Sequence, residues 1–195
     1  MSGPLKIDHP DFDQYLHRIS IIVTRAGPVA DVVFRCAEPT YATEADLLTG
    51  EGSRINGGRW NPPSSFATVY TAFTDTTALA EAKANHLYYG LDPADVLPRV
   101  IVAVDLKLAK VLDLTNGMVR KSMGVSATRM RQDDWRAMNR RGQESLTQAI
   151  GRAAYQSSLE GLVVPACDGG KNLVWFPGNL LGGSKATIRN PHKLV

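Results

Sequence analysis

The chain has 195 residues, 44% of them hydrophobic, with 22 Lys and Arg against 19 Asp and Glu for a formal net charge of +3, which suits one globular domain with its own core. So small and scattered a positive excess speaks against direct nucleic-acid binding, and no apolar run reaches the roughly 18 residues of a membrane span. Cys36 and Cys167 have neither metal-ligand spacing nor a disulfide framework, so the chain reads as cytoplasmic, with free thiols and no metal.

Met1 to Asp11 carries Gly3, Pro4 and Pro10 among polar residues and reads as a loosely held arm. Tyr15, Leu16, Ile19, Ile21 and Ile22 suit a short helix followed by a strand-like Ile-Ile-Val. Residues 1–30 are accordingly taken as an N-terminal extension, residues 31–182 as the catalytic domain and 183–195 as a C-terminal tail. Ala26-Gly27-Pro28 signals a turn, and Val32 to Cys36 a strand. Within it Arg35 points away from Phe34, because strand side chains alternate.

Glu44 to Leu48 gives one or two helical turns before a Thr49-Gly50-Glu51-Gly52 loop. The Gly57-Gly58 pair lets the backbone approach a ligand closely. Arg59 and Trp60 follow, and Asn61-Pro62-Pro63 stiffens the exit. Thr68 to Phe73 alternates as a strand, with Val69 and Tyr70 on opposite faces, and Asp75 or Thr76 caps a helix that carries Glu81 between Ala78 and Ala82.

Arg99 to Leu106 is the clearest buried strand, Leu108 to Leu114 suggests a further short one, and Asn116-Gly117 a turn. Met118 to Arg141 is basic and interrupted. Its interleaved Asp133 and Asp134 favour a solvated helix face over phosphate binding. Ser145 to Gln156 is amphipathic, with Leu146, Ala149, Ile150 and Ala153 at helical spacing. Leu159 to Pro165, with Gly-Leu-Val-Val-Pro, and Asn172 to Phe176 are the last strands. The tail beyond Gly183, with Ile188 and Leu194, shows no core pattern.

Arg59, Tyr70 and Glu81 fall in succession on a loop, a strand and a helix, so a cation, an aromatic plane and a carboxylate can share one crevice; Arg35 could add a second cation. Paired guanidinium groups suit a pyrophosphate, tyrosine offers a stacking face, and a carboxylate stabilises the positive charge that grows on ribose when an N-glycosidic bond breaks. The plainer alternative has Arg59 paired with a surface carboxylate and Tyr70 filling the core.

Phe34-Arg35, Gly57-Gly58-Arg59-Trp60-Asn61, Val69-Tyr70-Thr71-Ala72 and Ala78-Leu79-Ala80-Glu81, in that order, resemble the RES-domain family of bacterial toxins paired with Xre-type antitoxins. The resemblance runs from about Val32 to about Phe176. It implies an α+β single domain, a mixed, twisted sheet flanked by helices akin to ADP-ribosyltransferases, acting on NAD+ as substrate. Glu81, Arg35 and Tyr70 would then be catalytic, and Arg35, Gly58, Arg59, Trp60, Asn61 and Tyr70 would hold the dinucleotide.

The implied reaction cleaves the nicotinamide–ribose bond, with water, phosphate or a protein as acceptor of ADP-ribose. Mono-ADP-ribosylation of a host metabolic enzyme and an inactive nucleotide-binding module are the alternatives. The family serine is missing, since Pro165 is followed by Ala166 and Cys167. Either Ser157 or Ser158 substitutes, or the serine role is absent and Cys167 lines the pocket. The implied partner is a cognate Xre-type antitoxin, and the basic segment 118–141 offers a surface for a protein substrate.

Overall fold

In the computed structural model, which describes residues 4–189, one long strand organises the sheet. This strand, β3 (Val100–Asp113), runs unbroken for 14 residues with alternating burial. The two strands expected from this stretch are therefore one, because Lys107 stays in register as part of both ladders. One edge of β3 pairs antiparallel with β1 (Gly27–Ala37). The other edge pairs with β6 (Lys185–Ile188) antiparallel and β4 (Gly161–Pro165) parallel. β4 continues to β5 (Lys171–Trp175), β5 to β2 (Val69–Ala72), and β2 meets β1 where Phe34 faces Ala72. The mixed sheet thus curls back on itself.

Alternation along the strands splits the apolar residues between two cores. Leu162, Val164 and Val174 join one cluster with Tyr15, Ile19, Trp60, Ile150 and Phe176. Val163, Leu173 and Trp175 join the other with Val33, Leu47, Val69, Val104 and Leu106. The segment read as an N-terminal extension is part of this body. Its helix α1 (Phe12–Ile22) buries Tyr15, Ile19 and Ile22, and β1 begins at Gly27, where a turn was expected. The amides of Lys6 and Ile7 donate to the Gly142 carbonyl, so the described part of the arm is tied down. In the stretch read as a tail, Ile188 is buried on β6; Leu194 lies outside the described residues.

Short helices α2 (Glu44–Leu48) and α3 (Glu51–Asn56) precede β2, and α4 (Asp75–Tyr88) follows it, capped by the Thr74 side chain. The parallel β3–β4 pair needs a crossover. It is supplied by α5 (Gly117–Met123), α6 (Ala127–Gln132), α7 (Trp135–Arg140) and α8 (Leu146–Gln156). Asn116 caps α5 instead of forming a hairpin turn. Helix α8 starts with a capping box between Ser145 and Gln148. No helix among the described residues is long and apolar enough to cross a membrane.

A buried carboxylate holds the strand ends together. Glu160 Oε2 accepts from the amides of Ala109 (2.5 Å) and Lys110 (2.7 Å), and Oε1 from that of Leu181 (2.9 Å). Burial alone would raise its pKa, but these donors outweigh burial and hold it below the usual glutamate value.

A lowered carboxylate pKa contributes stability that is present above the unfolded-state value and lost as pH falls through the folded one. Glu160→Gln is therefore expected to cost about 2–3 kcal/mol at neutral pH. The difference from wild type should shrink as pH falls from about 7 towards 3. Urea unfolding midpoints across that range check both statements, and a difference that stays constant contradicts them.

Candidate functional site

The glycine-arginine loop is built around Tyr70. The Tyr70 hydroxyl accepts from the Trp60 amide (2.9 Å) and donates to Asn61 Oδ1 (2.7 Å). Burial raises its pKa, partly offset by the Trp60 hydrogen bond. Asn61 is fully buried, and its amide donates to the carbonyls of Ser53 (2.7 Å) and Phe66 (3.2 Å). At Gly58 an added Cβ would lie 2.7 Å from Tyr70 Cζ, so only glycine lets the hydroxyl sit this close. From the far side Gln148 Nε2 donates to the Gly58 carbonyl at 2.9 Å. The loop is pinned between β2 and α8.

Arg59 leaves this loop towards α6. Its Nη1 donates to the carbonyls of Met130 and Asp133, both at 3.0 Å, which satisfies groups that a helix C-terminus leaves unpaired. No ion pair involves Arg59 among the described residues.

Glu81 is fixed from across the sheet. Its Oε1 accepts from the Cys167 amide (2.9 Å) and from Asn172 Nδ2 (2.7 Å). The Cys167 thiol is pushed up to about 12, first by burial and then by the neighbouring Glu81, so it is neutral at physiological pH and is no nucleophile in this state.

Gly58, Arg59, Trp60, Tyr70, Glu81, Cys167 and Asn172 line a cleft of about 560 Å³. Asn85 and Tyr88 of α4, Arg131 of α6, and Trp135 and Arg136 of α7 line it as well. The Arg136 guanidinium carbon lies 4.3 Å from the Trp135 ring centre and 4.6 Å from that of Tyr88, and one Nη donates to Asn85 Oδ1. Tyr88 in turn donates to Asp134 (2.9 Å) and accepts from Arg140 (3.0 Å). A smaller hollow of about 150 Å³ lies on the β1 side of Glu81 and Tyr70, lined by Phe34, Cys36, Ala78 and Ala82 among others. No cluster of three or more metal-binding side chains occurs among the described residues.

The sequence pattern of the RES domain matches residues 32–192. The chain belongs to the RES domain family.

Over 126 residues it is 33% identical to the NAD(+) phosphorylase MbcT of Mycobacterium bovis and to that of Mycobacterium tuberculosis H37Rv. That stretch is 64% of this chain and 63% of each relative, so the chain spans less than two thirds of their length. It also superposes on a chain of the crystal structure of the M. tuberculosis MbcT–MbcA toxin–antitoxin complex. There the TM-score is 0.65 at 26% identity, covering 92% of this chain and 94% of that one.

Of the residues expected at the RES-domain site, the structure brings Gly58, Arg59, Trp60, Tyr70 and Glu81 together. Asn61 is not on the cleft; every polar atom of its side chain is engaged inside the loop, and it braces instead of binding. Arg35 is also elsewhere. Phe34 and Cys36 face the small hollow, so alternation sends Arg35 to the opposite face of the sheet. There its Nη1 donates to the Leu47 carbonyl at the end of α2 (2.5 Å), and burial lowers its pKa to about 10.

Ser157 and Ser158 sit at the end of α8 and do not line the cleft, whereas Cys167 does. Three contributors escape sequence reading. Asn172 and Gln148 act across 91 and 90 residues of chain, and Arg136 lies in the segment read as a solvated face. Its neighbours Tyr88, Tyr89 and Trp135 were the available signal, since clustered aromatics beside arginines suggest a cation–π wall.

Proposed function

We propose that this RES-domain chain is an NAD+-consuming toxin that breaks the nicotinamide–ribose bond and passes the ADP-ribosyl unit to inorganic phosphate. The observation that carries the reading is the clamped carboxylate. Glu81 Oε1 is held by two donors, while Oε2 has no hydrogen bond among the described residues and sits in a cleft walled by an arginine and an aromatic ring. The 33% identity to an NAD(+) phosphorylase supports phosphate as the acceptor.

In the reaction the C–N bond electrons leave with nicotinamide, which departs neutral, and a phosphate oxygen forms the new bond to the ribose carbon. The acid proton of phosphate goes to solvent or stays on the product at the prevailing pH. Glu81 stabilises the ribosyl cation between these two events. Its charge acts more strongly on that state than on NAD+, whose positive charge lies on the pyridinium ring. Tyr70 presents its ring to nicotinamide, while its hydroxyl is fully engaged in shaping the loop.

The order of loop arginine, strand tyrosine and helix glutamate supports reading the scaffold as akin to ADP-ribosyltransferases. A cognate antitoxin of Xre type is the proposed partner, supported by similarity to a chain of a toxin–antitoxin complex.

Purified protein incubated with NAD+ and increasing phosphate is expected to release nicotinamide at a rate that rises with phosphate, with ADP-ribose 1″-phosphate as co-product. Release independent of phosphate, yielding free ADP-ribose, assigns water instead. A labelled band in lysate supplied with labelled NAD+ assigns a protein acceptor. Absence of nicotinamide in every arm overturns the reading.

A further inference from the structure

The cleft holds more positive charge than its hydrogen bonds use. Arg59, Arg131 and Arg136 line it against a single carboxylate, Glu81, and none of the three arginines forms an ion pair among the described residues. Arg59 and Arg136 come from separate elements, the glycine loop and α7, and each is oriented by neutral groups. Backbone carbonyls hold one Nη of Arg59. Aromatic faces and the Asn85 amide oxygen hold Arg136. Arg136 Nε is buried and has no hydrogen-bond partner.

Asp134, at the start of α7, accepts from the Tyr88 hydroxyl and the Ala137 amide through Oδ1; its charge also interacts with Arg140 and Arg136, without an ion pair to either. Two guanidinium groups facing one space without a shared carboxylate repel each other unless an anion lies between them. Burial is the largest influence on Arg136 and lowers its pKa; Tyr89 opposes that shift, and the nearby Arg59 adds to it to a smaller extent.

We propose that Arg136 joins Arg59 to form a binding site for a phosphoryl oxyanion, either the acceptor phosphate or the pyrophosphate of the dinucleotide. This deepens the proposed reaction and rests on that reading of the cleft. The site takes over the place expected for Arg35, which the sheet turns away from the cleft. It also gives the basic crossover segment a role: α7 supplies the second half of an anion clamp that the glycine loop begins. Planar guanidinium groups suit it, because each can give two parallel hydrogen bonds to phosphate oxygens.

The test measures binding, not turnover, so that it stands apart from the fate of the reaction. Calorimetric titrations of inorganic phosphate and of ADP-ribose are made into Glu81→Gln protein and into the double variants that add Arg136→Gln or Arg136→Lys. Loss of one charge-assisted contact is expected to weaken one of the two ligands by about tenfold or more. Weakened phosphate with unchanged ADP-ribose assigns the acceptor, and weakened ADP-ribose assigns the pyrophosphate. If Arg136→Gln lowers the melting temperature too far to titrate, Arg136→Lys carries the same criterion, since it keeps the charge over the rings and loses the planar fork. Unchanged affinity for both ligands in a folded variant overturns the proposal. Loss of phosphate or ADP-ribose affinity in these variants, together with no nicotinamide release from the wild-type protein, would leave the anion site standing and the reaction refuted.

Discussion

Glu81→Gln is expected to lower the rate of nicotinamide release by about a hundred- to a thousandfold, the usual effect of removing one group that stabilises transition-state charge. The loss should appear in kcat with little change in KM for NAD+, because the carboxylate acts on a charge that the ground state does not yet carry on ribose. The fold should survive. The glutamine carbonyl can still accept from the Cys167 amide and Asn172 Nδ2 as Oε1 does now, so the melting temperature serves as the control. Steady-state kinetics with phosphate saturating decide the matter, and a variant retaining more than about a tenth of wild-type kcat would remove Glu81 from the chemistry.

Gly151→Ala is expected to be strongly damaging, since its Cβ would make the shortest contact found at any described glycine. Gly151 sits in the buried middle of α8, where an added Cβ would lie 2.7 Å from the Trp60 carbonyl carbon and closer still to its oxygen. Both clashing atoms are backbone, so no rotamer change relieves them. Either α8 or the glycine loop must move, at a cost of about 3 kcal/mol or more and a fall in melting temperature of about 6–12 °C.

The same shift would pull the Gly58 carbonyl off Gln148 and the Trp60 amide off Tyr70. Catalytic loss should therefore exceed what the unfolded fraction explains. Gly182→Ala is the matched control, because its Cβ would meet nothing within 4 Å and its backbone is not left-handed. Thermal melts and NAD+ turnover at a temperature where both variants are folded test the pair. Equal behaviour of the two would show that α8 does not hold the loop.

Local chemistry made much of this legible in advance. Helix α8 announced itself by apolar spacing, and its 11 residues fall inside the expected range. The helix bearing Glu81 followed a strand with the expected Tyr70, with only the cap moved to Thr74. These signals succeed because periodicity, capping and glycine freedom depend on residues a few positions apart.

The failures share the opposite cause. Alternation placed Arg35 opposite Phe34 from the sequence alone, yet which of those faces carries the cleft depends on the face that α4 covers as it packs against β1 and β2. Strand β6 has too short an apolar run to be seen until Ile188 finds its place opposite Val104. The RES-domain resemblance put Asn61 among the residues that hold the dinucleotide. Burial instead required each of its polar atoms to find a partner within the loop, since an unpaired buried amide is costly.

By itself, then, the sequence determined which residues make the shaped loop, the tyrosine strand and the glutamate helix, and in what order. Only the tertiary structure decided that Arg136, not Arg35, shares the cleft with Arg59, and that Cys167 and Asn172 clamp Glu81. Those choices rest on which sheet face is covered and on contacts between residues some 70 to 90 positions apart. Such contacts form only when burying the two cores brings distant segments to a common wall, and no local propensity encodes them.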